Sequence, residues 1–239
     1  AGTITVTGNA DLNGDLDVDG TANLDAVDVD GAVNFAADVT FADGADIITA
    51  SAGTSNFRAG VNAGNSIASG GNYNTVIGDE AGTALTTGDK NTAVGFEALK
   101  TEDAHSGHTA IGYQALKTLD SGSDSFNTAI GAGAGTAMTT GGNNVIIGGV
   151  AGEALTDADF NVVVGTVALR ADTQGSKSTA IGHATLNSQN FTSATDSHNT
   201  AVGYQAGLVI STGIQNTLIG SLAGDALTDA DDNVAVGMV

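Results

Sequence analysis

The chain has 239 residues, and its 27 acidic residues outnumber the six basic ones, which gives a net charge of −21. So few cations exclude tight nucleic-acid binding, and no apolar run approaches the ~20 residues of a transmembrane helix. The chain has no cysteine, so disulfides and cysteine metal sites are excluded. No cofactor is expected.

Residues 1–49 show a two-residue alternation of aliphatic side chains with threonine or aspartate, as at Ile4 and Val6 and at Val39 and Phe41. This period predicts short β-strands with one dry face and one wet face, separated by glycine turns. Residues 50–73 lose the alternation and become rich in glycine, serine and asparagine. We expect a strand shaft in the first segment and a junction in the second.

A calcium loop is the alternative interpretation of one acidic stretch in this segment. Asp15-Leu-Asp17-Val-Asp19-Gly20 matches the opening of an EF-hand loop, but the twelfth position is Ala26, where such a loop needs a bidentate glutamate. We therefore expect a solvated acidic strand face here.

Residues 74–239 consist of ten copies of one pattern, which reads Asn-Thr-Ala-Val-Gly-Tyr-Gln-Ala-Gly at 199–207. Seven of the nine intervals between copies are seventeen residues, and the other two are nineteen and twenty-one. A fixed long period with occasional insertions predicts a β-solenoid of ~17-residue coils. The last copy is incomplete, so we expect the sequence to be a segment of a longer polypeptide.

Three repeat positions, counted from the residue that opens each copy, predict the shape of a coil. Position four is always valine or isoleucine, which predicts a packed strand. Position five is always glycine, which predicts a corner with a backbone angle that side chains disfavour: Gly78, Gly95, Gly112, Gly131, Gly148, Gly165, Gly182, Gly203, Gly220 and Gly237. Position one is asparagine in eight copies, which predicts an amide ladder: Asn74, Asn91, Asn127, Asn144, Asn161, Asn199, Asn216 and Asn233.

Both faces of the predicted strand are apolar. Position two is threonine or valine and shares one face with position four, whereas position three, mostly alanine, points the other way. One face closes against its own coil, and we expect the alanine face to contact another subunit. The sequence therefore predicts an oligomer.

Positions nine and twelve vary together. Where position nine is glycine, position twelve is a large aliphatic residue: Leu85, Met138, Leu155, Ile210 and Leu227. Where position nine is leucine, position twelve is polar in three of four coils: Glu102, Asp172 and Gln189. One bulky group per corner indicates conserved volume in a packed core.

The Asn-Thr-Ala-Val/Ile-Gly-x-x-Ala-Gly/Leu motif resembles the head repeats of trimeric autotransporter adhesins. It is even more similar to repeats in tail fibres of marine bacteriophages, cyanophages among them. The resemblance covers residues 74–239 and implies a homotrimer in which each chain forms a left-handed parallel β-roll, although the period here is longer than in the adhesin heads. Residues 1–49 are similar to phage fibre shafts, in which three chains intertwine.

The resemblance implies an all-β structural segment of a phage tail fibre, located in the virion and supporting host attachment. Its expected partners are two further copies of the chain, other virion proteins, and a receptor or glycan on the host cell surface. A bacterial surface adhesin is the alternative, and a polysaccharide-degrading tailspike is the third hypothesis.

The two insertions, 121–126 and 189–198, are the candidate receptor-contact loops, because insertions on repeat arrays often line a binding face. Their candidate residues are Phe126, Asp124, Phe191, Thr192, Asp196 and His198.

Catalysis and metal binding have weaker signals. His105 and His108 are three residues apart, but no further ligands are evident near them in sequence. Glu80 and Glu97 share one position on adjacent coils, as a glycosidase pair would, yet stacked acids on so acidic a chain favour a solvated face. Each coil contains only one six-residue motif, and this does not fit the acyltransferases built from hexapeptide repeats. An ice-binding surface would need an unbroken column of threonines, and valines interrupt the threonine column at position two. We expect no enzyme and no metal site.

Overall fold

A computed structural model describes residues 51–238. This part of the chain is all-β, without a helix, and therefore holds no helix long and apolar enough to cross a membrane. Its strands are β1 (Phe57–Ala59), β2 (Thr75–Ile77), β3 (Thr92–Val94), β4 (Thr109–Ile111), β5 (Thr128–Ile130), β6 (Val145–Ile147), β7 (Val162–Val164), β8 (Gly175–Ser176), β9 (Thr179–Ile181), β10 (Thr195–Asp196), β11 (Thr200–Val202), β12 (Thr217–Ile219) and β13 (Val234–Val236). The predicted shaft at 1–49 and its Asp15–Asp19 stretch lie outside the described residues.

Eleven of these strands form one parallel sheet in the order β1-β2-β3-β4-β5-β6-β7-β9-β11-β12-β13. Each strand pairs with the equivalent strand of the next coil, so that Ala93 aligns with Ala110 and Ala110 with Ala129. The insertions do not disturb this register, since β7 pairs with β9 and β9 with β11. The predicted parallel β-solenoid is confirmed, with about eleven turns.

One turn more is present than the sequence repeats predict, because β1 lies inside the stretch expected to be a junction. Asn56 opens this coil, and its Oδ1 accepts the Asn74 N–H at 2.8 Å, as in later coils. Position three is Arg58, whose Nε donates to the Ala63 carbonyl at 2.8 Å. Phenylalanine and arginine in place of threonine and alanine hide the repeat at the level of sequence.

The strand faces are reversed relative to the sequence expectation. Position-three side chains from Val76 to Leu218 are fully buried inside the single chain, whereas positions two and four are half-buried or exposed. The expectation that the alanines contact another subunit is therefore wrong. The β-branched residues, not the alanines, form the outer face of the sheet.

The asparagine ladder is present and joins consecutive coils. The Asn91 backbone N–H donates to Asn74 Oδ1 at 2.8 Å, and Asn74 Nδ2 donates to the Gly88 carbonyl at 2.8 Å. Each buried side chain thus satisfies one backbone donor of the next coil and one backbone acceptor of its own coil. His108 takes the same place through Nδ1, which accepts the Asn127 N–H at 3.3 Å.

The inverse relation between side-chain size at position nine and at position twelve follows from the limited volume of the core. Position nine has a left-handed backbone whether it is glycine or leucine, with φ 51° at Gly82 and 50° at Leu99. A Cβ at Gly82 would lie 2.8 Å from Leu85 Cδ1, which already fills that corner. Leucine at position nine therefore requires a side chain at position twelve that does not occupy the same space.

Candidate functional site

The outer face of the sheet and the residues beside its strands carry nearly all the exposed large hydrophobic side chains of residues 51–238. All but Val209 lie at positions two, four and six or at the residue before position one. They are Val61, Tyr73, Phe96, Tyr113, Phe126, Ile130, Val145, Phe160, Val162, Ile181, Tyr204, Ile219, Val234, Val236 and Met238. We call this face the apolar strip. Exposed apolar side chains that recur at the same positions of successive coils are typical of an interaction site.

Stacked rings flank part of the apolar strip at position six. The rings of Phe96 and Tyr113 are stacked with centroids 5.6 Å apart, and those of His183 and Tyr204 with centroids 5.4 Å apart. Adjacent coils thus place their rings face to face along the solenoid axis. The arrangement stiffens one edge of the strip.

The first inserted loop, 121–126, is held by a buried carboxylate of the preceding coil. Glu102 is fully buried, and its Oε2 accepts the Ser121 N–H at 3.0 Å and the Ser121 hydroxyl at 2.8 Å. Burial opposes ionisation, but these bonds and one from His105 N–H hold the pKa of Glu102 below its ordinary value. Asp124 and Phe126 are exposed at the end of this loop, and Asp124 Oδ1 accepts the Ser106 N–H at 2.9 Å.

The second loop, 189–198, is held in the same way. Asp172 is fully buried, and its Oδ1 accepts the N–H groups of Gly175 and Phe191, each at 3.0 Å. Burial raises the pKa of this carboxyl despite its hydrogen bonds. Further along the loop, β10 pairs with β8 and Asp196 forms an ion pair with Lys177.

The candidate contact residues of the second loop do not share one environment. Thr192, Asp196 and His198 are exposed, whereas Phe191 is only 6% exposed. The expectation that Phe191 projects for receptor contact is therefore corrected, because its ring packs over Gly175. The two loops lie on coils four steps apart, about 19 Å along the axis at the usual strand spacing, so they do not form one site.

Sequence reasoning missed the two carboxylates that hold the loops. The available signal was the polar residue at position twelve, present in each case in the coil just before an insertion. From the sequence alone, a polar residue at position twelve indicates only that the leucine at position nine fills the space there. Its partners lie nineteen residues away, at Ser121 for Glu102 and at Phe191 for Asp172.

Glu80 and Glu97 lie in a network of cations rather than in a catalytic pair. Lys100 forms ion pairs with both carboxylates, and Lys117 Nζ lies 2.6 Å from Glu97. Lys100, then Lys117 and Gln114, lower the pKa of Glu97 to about 2. A glycosidase general acid needs a raised pKa, so this environment is the opposite of what the tailspike hypothesis requires of Glu97.

The Glu97 network predicts a pH-dependent stability. The folded-state pKa is below the ordinary 4.5, so the carboxylate stabilises the fold above pH 4.5, and this contribution is lost as pH falls towards about 2. Glu97→Gln should therefore lower the melting temperature at pH 7 and have no effect near pH 2. Thermal unfolding of the parent chain and of the Glu97→Gln variant between pH 2 and pH 7 tests this prediction. An equal difference at both pH values would contradict the assignment, and Asp157→Asn, an exposed acid outside the network, is the control.

Comparison of the chain with protein-family models, with curated proteins and with solved structures gives no match. The likeness to adhesin heads and phage fibres therefore depends on the patterns of the sequence alone, namely the repeat motif and the alternation of residues 1–49.

Proposed function

We propose that this chain is a structural segment of a homotrimeric fibre of a phage particle, one that supports host attachment. The observation that carries the proposal is the apolar strip, which follows the solenoid from Val61 to Met238. A lone chain leaves that strip in water, whereas burial of its β-branched side chains favours association.

The dimensions of the strip suit copies of the same chain. Eleven coils at the usual strand spacing of about 4.8 Å make it roughly 50 Å long, and the three strand residues of each coil make its flat part about 10 Å wide. This part has an area of about 500 Å², and the side chains at position six and before position one extend it towards the roughly 800 Å² that one partner buries in a stable interface.

The period of the strip is the reason to choose a second and third copy over an unrelated partner. Its β-branched residues recur once per coil, and only a surface with the same spacing between its contact residues matches them along the whole length. Another copy of this solenoid has the same rise per coil and therefore the same spacing. Positions two and four carry no charged residue in the ten copies from Asn74, so the face of the sheet itself presents no like charges to a partner. The charges of the strip lie at its edges, at Asp79, Lys90, Lys177 and Asp232.

The phage assignment rests on the repeat motif and on the similarity of residues 1–49 to fibre shafts. In this role the regular coils space and stiffen the fibre, and the loops at 121–126 and 189–198 face outward to a host receptor or glycan. The side chains offered are Asp124 from one loop and Thr192, Asp196 and His198 from the other, whereas Phe126 belongs to the apolar strip and would be covered in the trimer. Other virion proteins are the expected neighbours along the fibre.

Two measurements test the proposal. Native mass spectrometry of the chain should give about three times its 23.3 kDa, and a stable monomer would contradict the trimer. Antibodies against the chain should label the tail fibres of virions in electron micrographs. Label on the surface of uninfected bacteria would favour the adhesin alternative instead.

A further inference from the structure

Four side chains with metal-binding groups meet at the base of the first inserted loop. Glu102, Asp103 and His105 come from one coil and Asp120 from the next, and one ligand atom from each lies within 4.8 Å of the others. Glu102 is buried, His105 is half-buried, and the two aspartates are exposed. The donor set is therefore one imidazole and three carboxylates, open to solvent on one side.

Two of these residues interrupt a ladder of hydroxyl groups that most coils of residues 51–238 carry. At position thirteen, neighbouring coils carry threonine or serine, whose hydroxyl donates to the position-thirteen carbonyl of the next coil. Such bonds run from Thr86 to Asp103 at 2.9 Å, from Thr156 to Thr173 at 3.0 Å and from Ser211 to Thr228 at 3.1 Å. Asp103 and Asp120 occupy this position on adjacent coils and supply no such donor.

The carboxylates that replace the hydroxyl groups at position thirteen make no contact that would stabilise the fold within the part of the chain that the structure describes. The carboxylates of Asp103 and Asp120 have no hydrogen-bond or ion-pair partner among residues 51–238, although many acids in that range are paired. Thr101 and Thr118, two residues earlier, donate instead to the Leu119 and Met138 carbonyls of the next coil at 2.9 and 3.0 Å, so a donor between coils is kept. Like charges at short distance repel each other, so the exchange adds repulsion next to an imidazole and a buried carboxylate.

His105 is a second departure from the repeat at the same place. The equivalent position is Gly88 in the preceding coil and Gly175 or Ala158 in later ones, where only the backbone carbonyl is used by the asparagine ladder. His105 keeps that backbone role, since its carbonyl accepts from Asn91 Nδ2 at 2.9 Å. Its imidazole is an addition, and Nδ1 lies 2.9 Å from Glu102 Oε1.

We propose that Glu102, Asp103, His105 and Asp120 bind one divalent transition-metal ion of the zinc class. An imidazole nitrogen with carboxylate oxygens suits Zn²⁺, whereas Ca²⁺ and Mg²⁺ prefer oxygen ligands alone. Ligand distances of about 2.0–2.2 Å require the donor atoms to draw closer than they are, and the exposed Asp103 and Asp120 are free to do so.

The ion would join two coils where the first loop begins. Glu102 Oε2 already holds Ser121, and a metal on the Oε1 side would fix the same carboxylate from the other direction. Asp120 directly precedes the loop, so its coordination would fix the chain at that point. The inference is independent of the fibre role, because a monomer would contain all four residues.

The test is a Zn²⁺ titration of the 239-residue chain, prepared without a histidine tag, by calorimetry and by thermal unfolding. We expect one Zn²⁺ per chain and a melting temperature that rises with Zn²⁺ concentration. His105→Ala should bind at least about tenfold more weakly, since even loss of an outer-shell partner costs about 10–100-fold in affinity.

The decisive variant is Asp103→Thr combined with Asp120→Thr, which restores the repeat residue at both positions. It should fold with a metal-free melting temperature equal to or above that of the parent chain and lose the Zn²⁺ response. His183→Ala, an exposed histidine elsewhere, should bind as the parent does. Unchanged affinity in the double variant or in His105→Ala, no Zn²⁺ binding by the parent, or binding of Ca²⁺ in preference to Zn²⁺, would each overturn the proposal.

Discussion

Gly148→Ala should strongly destabilise the solenoid, as should the same change at the other glycines of position five. Gly148 is at position five of its coil and has φ +135°, a region that side chains rarely adopt. A Cβ built there would lie 2.6 Å from the carbonyl carbon and oxygen of Gly165, the equivalent residue of the next coil. Neither backbone is free to withdraw, since the N–H of Gly148 donates to the Ile130 carbonyl at 2.8 Å and that of Gly165 donates to the Ile147 carbonyl at 2.7 Å.

The expected loss is the sum of two costs. Backbone strain in a glycine-only region costs on the order of 1–3 kcal/mol, and forcing an extra carbon into a packed contact costs about 1–3 kcal/mol more. The loss of about 2–6 kcal/mol is a large share of an ordinary domain's stability. Urea unfolding followed by circular dichroism measures it.

The adjacent residue provides a matched control. A Cβ at Gly149 would have its nearest neighbour, Thr166 Cγ2, 4.0 Å away, and the backbone there is not left-handed. Gly149→Ala should therefore leave the unfolding midpoint nearly unchanged. If both substitutions destabilised equally, the glycine stack would not be what sets the coil geometry.

Much of the fold was predictable because one short pattern is repeated. The invariant glycine at position five and the β-branched residue at position four predict a strand followed by a corner, and ten copies predict stacking. The coil opened by Asn56 was missed because Arg58 replaces the small residue of position three. A single coil gives no periodicity by which to recognise it once two of its key residues differ.

The orientation of the strand was not predictable from alternation alone. Alternation assigns positions two and four to one face and position three to the other, but it does not say which face is inside. In the structure position three is buried whether it is alanine, as at Ala93, or a larger aliphatic residue, as at Val76 and Ile146. The size of the side chain therefore does not decide which face is inside, and the sequence gives no other signal for it.

Contacts between coils were the least predictable part of the candidate sites. Asp120 reaches His105 from the following coil, and Phe191 reaches Asp172 across nineteen residues. Sequence shows the spacing of such residues but not which corner of the coil each one occupies. With the register of the sheet known, position thirteen of one coil is placed directly beside position thirteen of the next.

Replacing Ile130 and Ile181 together by lysine should separate the proposed trimer into monomers. Both isoleucines are at position four, 37% exposed on the lone chain, and belong to the apolar strip. Burying the exposed third of each isoleucine contributes about 0.5–1 kcal/mol, and an ammonium group buried without a partner costs several kcal/mol more. Native mass spectrometry at micromolar concentration should show the 23.3 kDa chain in place of the parent trimer.

The coils themselves should survive the double substitution, because neither side chain is in the core of its own chain. Circular dichroism should therefore be unchanged, which separates loss of assembly from loss of fold. Val209→Lys is the matched control, since Val209 is 36% exposed but lies off the strip. If Val209→Lys dissociated the assembly and the double substitution did not, copies would meet through another face. The outer β-branched residues would then need a different explanation.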